Sequence, residues 1–210
     1  MPPPRKYTPP SSTDIDADAK PLPKRGALAY VPWLLLLDAA AFLLTLAPQQ
    51  AAGAPGTGAT VVMAVYFSLS FLGVFVEELV WFSRLMRFDR FYLGSTAALA
   101  QLVALRLRER VVLAGLFYVF WSFDRAAQRD TFWSGMDPDR SPFGAGATFW
   151  TTATLVITGT GFSNVVPVHP GLHVLVGVAT TVSDIFWYVV ASFVFALVFE
   201  LSRISRRKPN

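Results

Sequence analysis

The chain has 210 residues, 53% hydrophobic and 15% charged, and its apolar residues gather into runs too long for a soluble core of this size, so the expected fold class is an all-α membrane protein. Cysteine is absent, which excludes a disulfide framework, a Cys-based metal site and a thiol nucleophile. Eighteen Lys and Arg stand against 14 Asp and Glu; in a membrane protein the placement of this mild excess matters more than its size, and it gives no ground for a nucleic-acid partner.

Residues 1–26 combine Pro, Ser and charge with almost no bulky apolar side chain and cannot repay the entropy of ordering, so they read as a disordered cytoplasmic tail. The apolar run that follows is longer than the h-region of a signal peptide and is expected to remain as an anchor. Transmembrane helices are expected from about Ala27 to Ala47, Ala59 to Ser83, Leu107 to Phe123 and Gly171 to Leu201. The third span is short after Arg110, so Arg106, Arg108 and Arg110 are expected to snorkel toward one interface.

Four spans place both termini on one side. Arg5, Lys6, Lys20, Lys24 and Arg25 of the tail, Arg84, Arg87, Arg90, Arg106, Arg108 and Arg110 between spans two and three, and Arg203, Arg206, Arg207 and Lys208 at the end all fall on that face, which leaves the opposite face only Arg125, Arg129 and Arg140. The positive-inside rule makes the first face cytoplasmic, giving a multi-pass cell-membrane protein surrounded by lipid. The expected division is therefore tail 1–26, two helices and a basic linker 27–106, a second helical unit 107–204, and a basic cytoplasmic end 205–210.

Between the last two spans lies GATFWTTATLVITGTGFSNVVPVHPG, too polar and Gly-rich to cross a bilayer and too apolar for an ordinary exposed loop. Ala147 to Ile157 suits a short helix, and Thr158 to Asn164 a non-helical return, so the segment reads as re-entrant. An exposed turn between two helices is the bland alternative, which Gly, Ser and Asn also favour.

The run Thr158, Gly159, Thr160, Gly161, Phe162, Ser163, Asn164, Val165, Val166, Pro167 resembles the pore loop of potassium channels, T-T-V-G-Y-G-D-x-x-P. Gly161 and Phe162 fall on the Gly-Tyr pair and Pro167 on the proline without a gap, while Gly159 stands where the family has threonine and Ser163 where it has its second glycine. The resemblance covers Leu107 to Ile204 and implies a degenerate filter over Thr158 to Asn164, potassium held at Thr160, Gly161 and Phe162 by backbone carbonyls, and a homotetramer. It implies passive movement of potassium or other monovalent cations, with no cofactor; an enzyme is not expected, since the sequence shows no Ser-His-Asp spacing, phosphate-cradling glycine loop or metal-ligand cluster. A non-conducting, channel-derived membrane subunit or scaffold is the alternative that the two departures keep open. A potassium transporter is a further class, but it carries four such units in one chain.

Three other groups draw attention. Asp184 is the only charge between His173 and Glu200 and is expected either to face a central cavity or to bond a neighbouring helix. Arg84, Arg87 and Arg90 recur every third residue, with Asp38, Glu77 and Glu78 as acidic partners in the first two spans; they read as a voltage-sensing fragment or a cluster that sets topology. His169 and His173 flank Pro170 at the outer mouth, where imidazole titration can sense pH, though no further zinc ligand is in view.

Overall fold

The computed structural model describes residues 30–46, 57–86, 96–127, 129–137 and 140–206. The tail, the uncharged link 47–56, and Arg87 and Arg90 lie outside the described residues, and the side chain of Arg84 is likewise not described.

The described chain is mostly helical. Helices α1 (Val31–Leu46), α2 (Thr57–Met86) and α3 (Thr96–Ala127) are followed by a two-residue strand β1 (Trp133–Ser134), helix α4 (Pro142–Ile157), strand β2 (Val166–Pro167) and helix α5 (Pro170–Arg206). Two segments are long and apolar enough to cross a membrane: Gly58–Ser83 in α2, with mean hydropathy 2.1, and Pro170–Ser192 in α5, with mean hydropathy 1.8. Only 17% and 22% of these windows are buried inside the chain, so the apolar side chains face outward rather than into a water-soluble core. Trp33, Leu36 and Leu44 on α1, Leu69 and Leu72 on α2, and Val174 and Tyr188 on α5 all stand exposed.

Helix α3 is the central element and packs against α1, α2 and α4. Its segment Val111–Val119 is buried on every side, as expected of a helix that is apolar all round. The packing sets the direction of each helix. Val31, Phe67, Val74, Trp81, Leu105 and Phe186 share one cluster, whereas Leu46, Trp121, Trp133, Phe149 and Leu172 share another at the opposite end. Close approach of α2 and α3 needs Gly115, because a Cβ there would lie 2.5 Å from the buried ring of Phe67.

The boundary expected between residues 106 and 107 falls inside α3, which runs unbroken from Thr96. Nor do Arg106 and Arg108 snorkel to an interface: both are buried, at 8% and 3% exposure. Four acidic side chains from three helices meet them there, which lets the arginines stay inside the bundle.

Helix α4 begins earlier than the expected Ala147. Ser141 caps it, its hydroxyl accepting the Gly144 N–H at 3.2 Å, and Pro142 opens the first turn, where a missing N–H costs nothing. It ends at Ile157, as the residue pattern indicated. β1 pairs antiparallel with β2, Trp133 opposite Pro167, so the chain returns after α4 to the end of the bundle from which α4 started.

Candidate functional site

The chain from Thr158 to Val165 has no regular structure, and its shape is set by two glycines with positive φ, Gly159 at 67° and Gly161 at 109°. Gly159 terminates α4: its N–H donates to the Val156 carbonyl at 3.1 Å, and the Thr160 N–H donates to the Leu155 carbonyl at 3.0 Å. This is the Schellman arrangement, in which a left-handed residue after the last helical turn satisfies carbonyls that the helix leaves open. Gly161 is surrounded by open space. Thr158, Gly159, Thr160, Gly161, Phe162 and Asn164 are exposed and Ser163 is half-buried. Among the described residues, no N–H or O–H donates to a carbonyl oxygen between Thr158 and Ser163.

Ser163 anchors the loop to α4. Its hydroxyl lies 2.7 Å from that of Thr152, a fully buried α4 residue. Asn164 turns its carbonyl toward Gly135 of the α3–α4 link, so closely that a Cβ on Gly135 would stand 2.4 Å from that oxygen. With φ at 85°, Gly135 is doubly restricted to glycine. The link is itself held by Asp124 near the end of α3. Its buried carboxylate accepts N–H bonds from Thr131 at 2.9 Å and from Phe132 and Trp133 at 2.8 Å. The Phe132 carbonyl in turn accepts the Val168 N–H, so one carboxylate secures the strand pair at the far end of the loop.

At the near end the carbonyl terminus of α4 meets α5. The Ser183 hydroxyl donates to the Ile157 carbonyl at 2.7 Å, and Thr180 donates to Val156 at 3.4 Å. Asp184, one residue on, is exposed, with its Oδ1 3.6 Å from where a Cβ on Gly159 would be. An exposed carboxylate thus sits beside the turn that ends α4, near the negative end of that helix's dipole. Among the described residues Asp184 has no salt-bridge partner.

Ser183 also adjoins, through Arg106, a buried charge cluster. Asp38, Glu77 and Glu78, which the sequence offers as acidic partners for Arg84, Arg87 and Arg90, pair among the described residues with Arg108 and Arg106. Arg108 donates through Nε to Asp38 at 2.6 Å and through Nη1 to Glu77, and Asp38 also accepts from Tyr66 at 2.6 Å and Ser70 at 3.1 Å. Arg106 Nη1 lies 2.5 Å from Glu109, 3.1 Å from Glu78 and 3.5 Å from the Ser183 hydroxyl, with its guanidinium 3.3 Å from the Phe186 ring centroid. The two arginines are two residues apart, and so project from opposite sides of α3. The alternation in LRLRER and the lone Asp38 within α1 were the signals available for this pairing.

His169 and His173 are both exposed at the loop end of α5. His169 Nδ1 accepts the Gly171 N–H at 3.1 Å and its ring lies 5.1 Å from that of Phe132; no group of three potential metal ligands occurs among the described residues.

The fold and site define a helical protein with two membrane-length apolar helices and a glycine-containing loop between α4 and α5. No protein-family model, no curated protein and no solved structure matches the chain.

Proposed function

We propose that the chain is one subunit of a potassium-channel-like cation channel in which four copies bring their Thr158–Asn164 loops to a shared axis. The observation that carries this reading is an exposed loop, beginning beside Ser183, whose carbonyls accept no hydrogen bond among the described residues. Ser183 lies thirteen residues along α5 from Pro170, about 20 Å at the helical rise. With α5 as a span through about 30 Å of hydrocarbon, these oxygens lie at membrane depth, where irregular backbone survives only against protein or in a water-filled path. Four loops facing one axis supply that path, with the carbonyls of Thr160, Gly161 and Phe162 replacing a cation's water.

In this reading α1, α2, α3 and α5 are the four spans, α4 and its return form the re-entrant segment, and both termini are cytoplasmic. The outward apolar face of α2 meets lipid. Asp184 from each copy faces the cavity under the loop and raises the local concentration of cations. Passive movement of K⁺ or other monovalent cations follows.

Gly159 in a helix-ending turn and Ser163 tied to Thr152 favour a second reading, a non-conducting membrane subunit, since both residues serve the loop's shape at positions where the filter pattern has other residues. Flux of K⁺ and of Na⁺ into liposomes containing the purified full chain separates the two. Conduction predicts cation uptake that falls at least severalfold in Asp184→Asn at matched protein incorporation. Correctly folded protein that passes neither ion refutes conduction and leaves the second reading.

A further inference from the structure

The structure encloses a half-open cavity of about 300 Å³ on the loop side of the bundle. Its walls are Leu116 and Phe120 of α3, Leu172 and Leu175 of α5, and Phe132 from the link; Ser68 of α2 and His169 border it. The polar groups offer little to a ligand. The Ser68 hydroxyl is committed to the Ala64 carbonyl at 2.7 Å, and His169 Nδ1 to the Gly171 N–H. With five apolar side chains as its walls, the cavity suits an apolar guest. The volume is about twice the ~150 Å³ of an apolar cavity that holds one benzene-sized molecule, enough for a length of hydrocarbon chain.

What fills it is indicated by what surrounds its mouth. On α2, Val65, Leu69 and Leu72 flank Ser68 and are exposed by 54%, 63% and 60%. On α5, Val174 and Val178 continue the exposed apolar surface past Leu175. The opening thus adjoins the exposed apolar surface of α2 and α5 that meets hydrocarbon in the proposed reading, and a chain leaving the bilayer enters it past Val65, Leu69 and Leu72, with Ser68 and His169 as the polar residues at its border.

We infer that this cavity is a binding site for one acyl chain of a bilayer phospholipid. The chain lies against Phe132, whose carbonyl takes the Val168 N–H, and against His169 next to α5. It therefore supports the strand pair that anchors the far end of the Thr158–Asn164 loop. The inference rests on the membrane placement in the proposed reading and is independent of conduction.

The test uses the purified full chain in phosphatidylcholine bilayers containing a trace of phosphatidylcholine with a photoactivatable diazirine in mid-chain. After irradiation and peptide mapping, adducts are expected on Leu116, Phe120, Leu172 and Leu175 as well as on the exposed α1 residues Leu36 and Leu44. Ser68→Trp, at an exposed position on the mouth, is expected to cut the cavity adducts at least fivefold while leaving those on Leu36 and Leu44 unchanged. Labelling of Leu36 and Leu44 with none in the cavity overturns the site, and is also what a neighbouring copy's side chain filling the cavity produces. Equal cavity labelling in Ser68→Trp overturns it too. Absence of all labelling instead defeats the membrane placement, and ion flux reports on conduction separately.

Discussion

Replacing Arg108 by methionine removes the cation that joins α1, α2 and α3 at one point. The Arg108 side chain is 4% exposed and binds Asp38 and Glu77, themselves 2% and 7% exposed. Its loss leaves two buried carboxylates with no counter-charge between them, a class of change that costs about 3–5 kcal/mol. Asp38→Asn is milder. The amide oxygen still accepts from Tyr66 and Ser70, Arg108 keeps Glu77, and the expected cost is about 1.5–3 kcal/mol, the value of a hydrogen bond to a charged group. In the double variant one unpaired carboxylate disappears along with the cation, so the two costs do not add; the shortfall is expected at about 1–3 kcal/mol. Unfolding in mixed micelles titrated with dodecyl sulfate, followed through the fluorescence of the six tryptophans, measures all three, and slopes must match the parent for the comparison to hold. Leu107→Met, at a partly exposed neighbour, serves as the control and is expected within about 0.5 kcal/mol of the parent. Arg108→Met costing under about 1 kcal/mol, or strict additivity in the double variant, refutes the reasoning.

Two further outcomes follow from local geometry. Gly115→Ala brings a methyl group to 2.5 Å from the Phe67 ring and is expected to cost about 1–3 kcal/mol through overpacking; Phe67→Leu in the same chain should recover part of it in the same titration, and no recovery would show that the contact is not the cause. Thr152→Val and Ser163→Ala each break the 2.7 Å hydroxyl pair and are expected to cost about 1 kcal/mol. Together they should cost scarcely more than either alone, a pattern read from thermal unfolding of the four proteins, and independent additive losses would sever the proposed tie between loop and α4.

The local features of the loop were legible because they depend on neighbours in sequence. Gly159 and Gly161 take the left-handed conformations that their lack of a Cβ allows, and α4 stops at Ile157, where the threonine- and glycine-rich run begins. The start of α4 was less legible: Ser141-Pro142 is a cap and first-turn signal, but Gly144 and Gly146 weaken helix propensity across the next turns. Gly146 is used for packing instead, since a Cβ there would meet Leu46 at 3.0 Å. The contact of the Ser163 hydroxyl with Thr152, eleven residues away, was not legible, because it depends on the loop folding back on α4.

The charges divide in the same way. Composition and run length by themselves determine that α2 and α5 are long and apolar enough to cross a membrane, because transfer of a helix into hydrocarbon depends on summed side-chain character and not on which residue touches which. Which cation neutralises which acid is a matter of three-dimensional proximity. Arg106 and Arg108 look like interfacial residues in a linear reading, and only the packing of α1 and α2 against α3 brings Asp38, Glu77 and Glu78 to them across gaps of 28 to 70 residues. Tertiary structure likewise decided that Asp184 lies close to Gly159 while Ser183 beside it holds the end of α4. Adjacent helical positions differ by about 100° in direction, so where each one points depends on the face that α5 turns toward its neighbours.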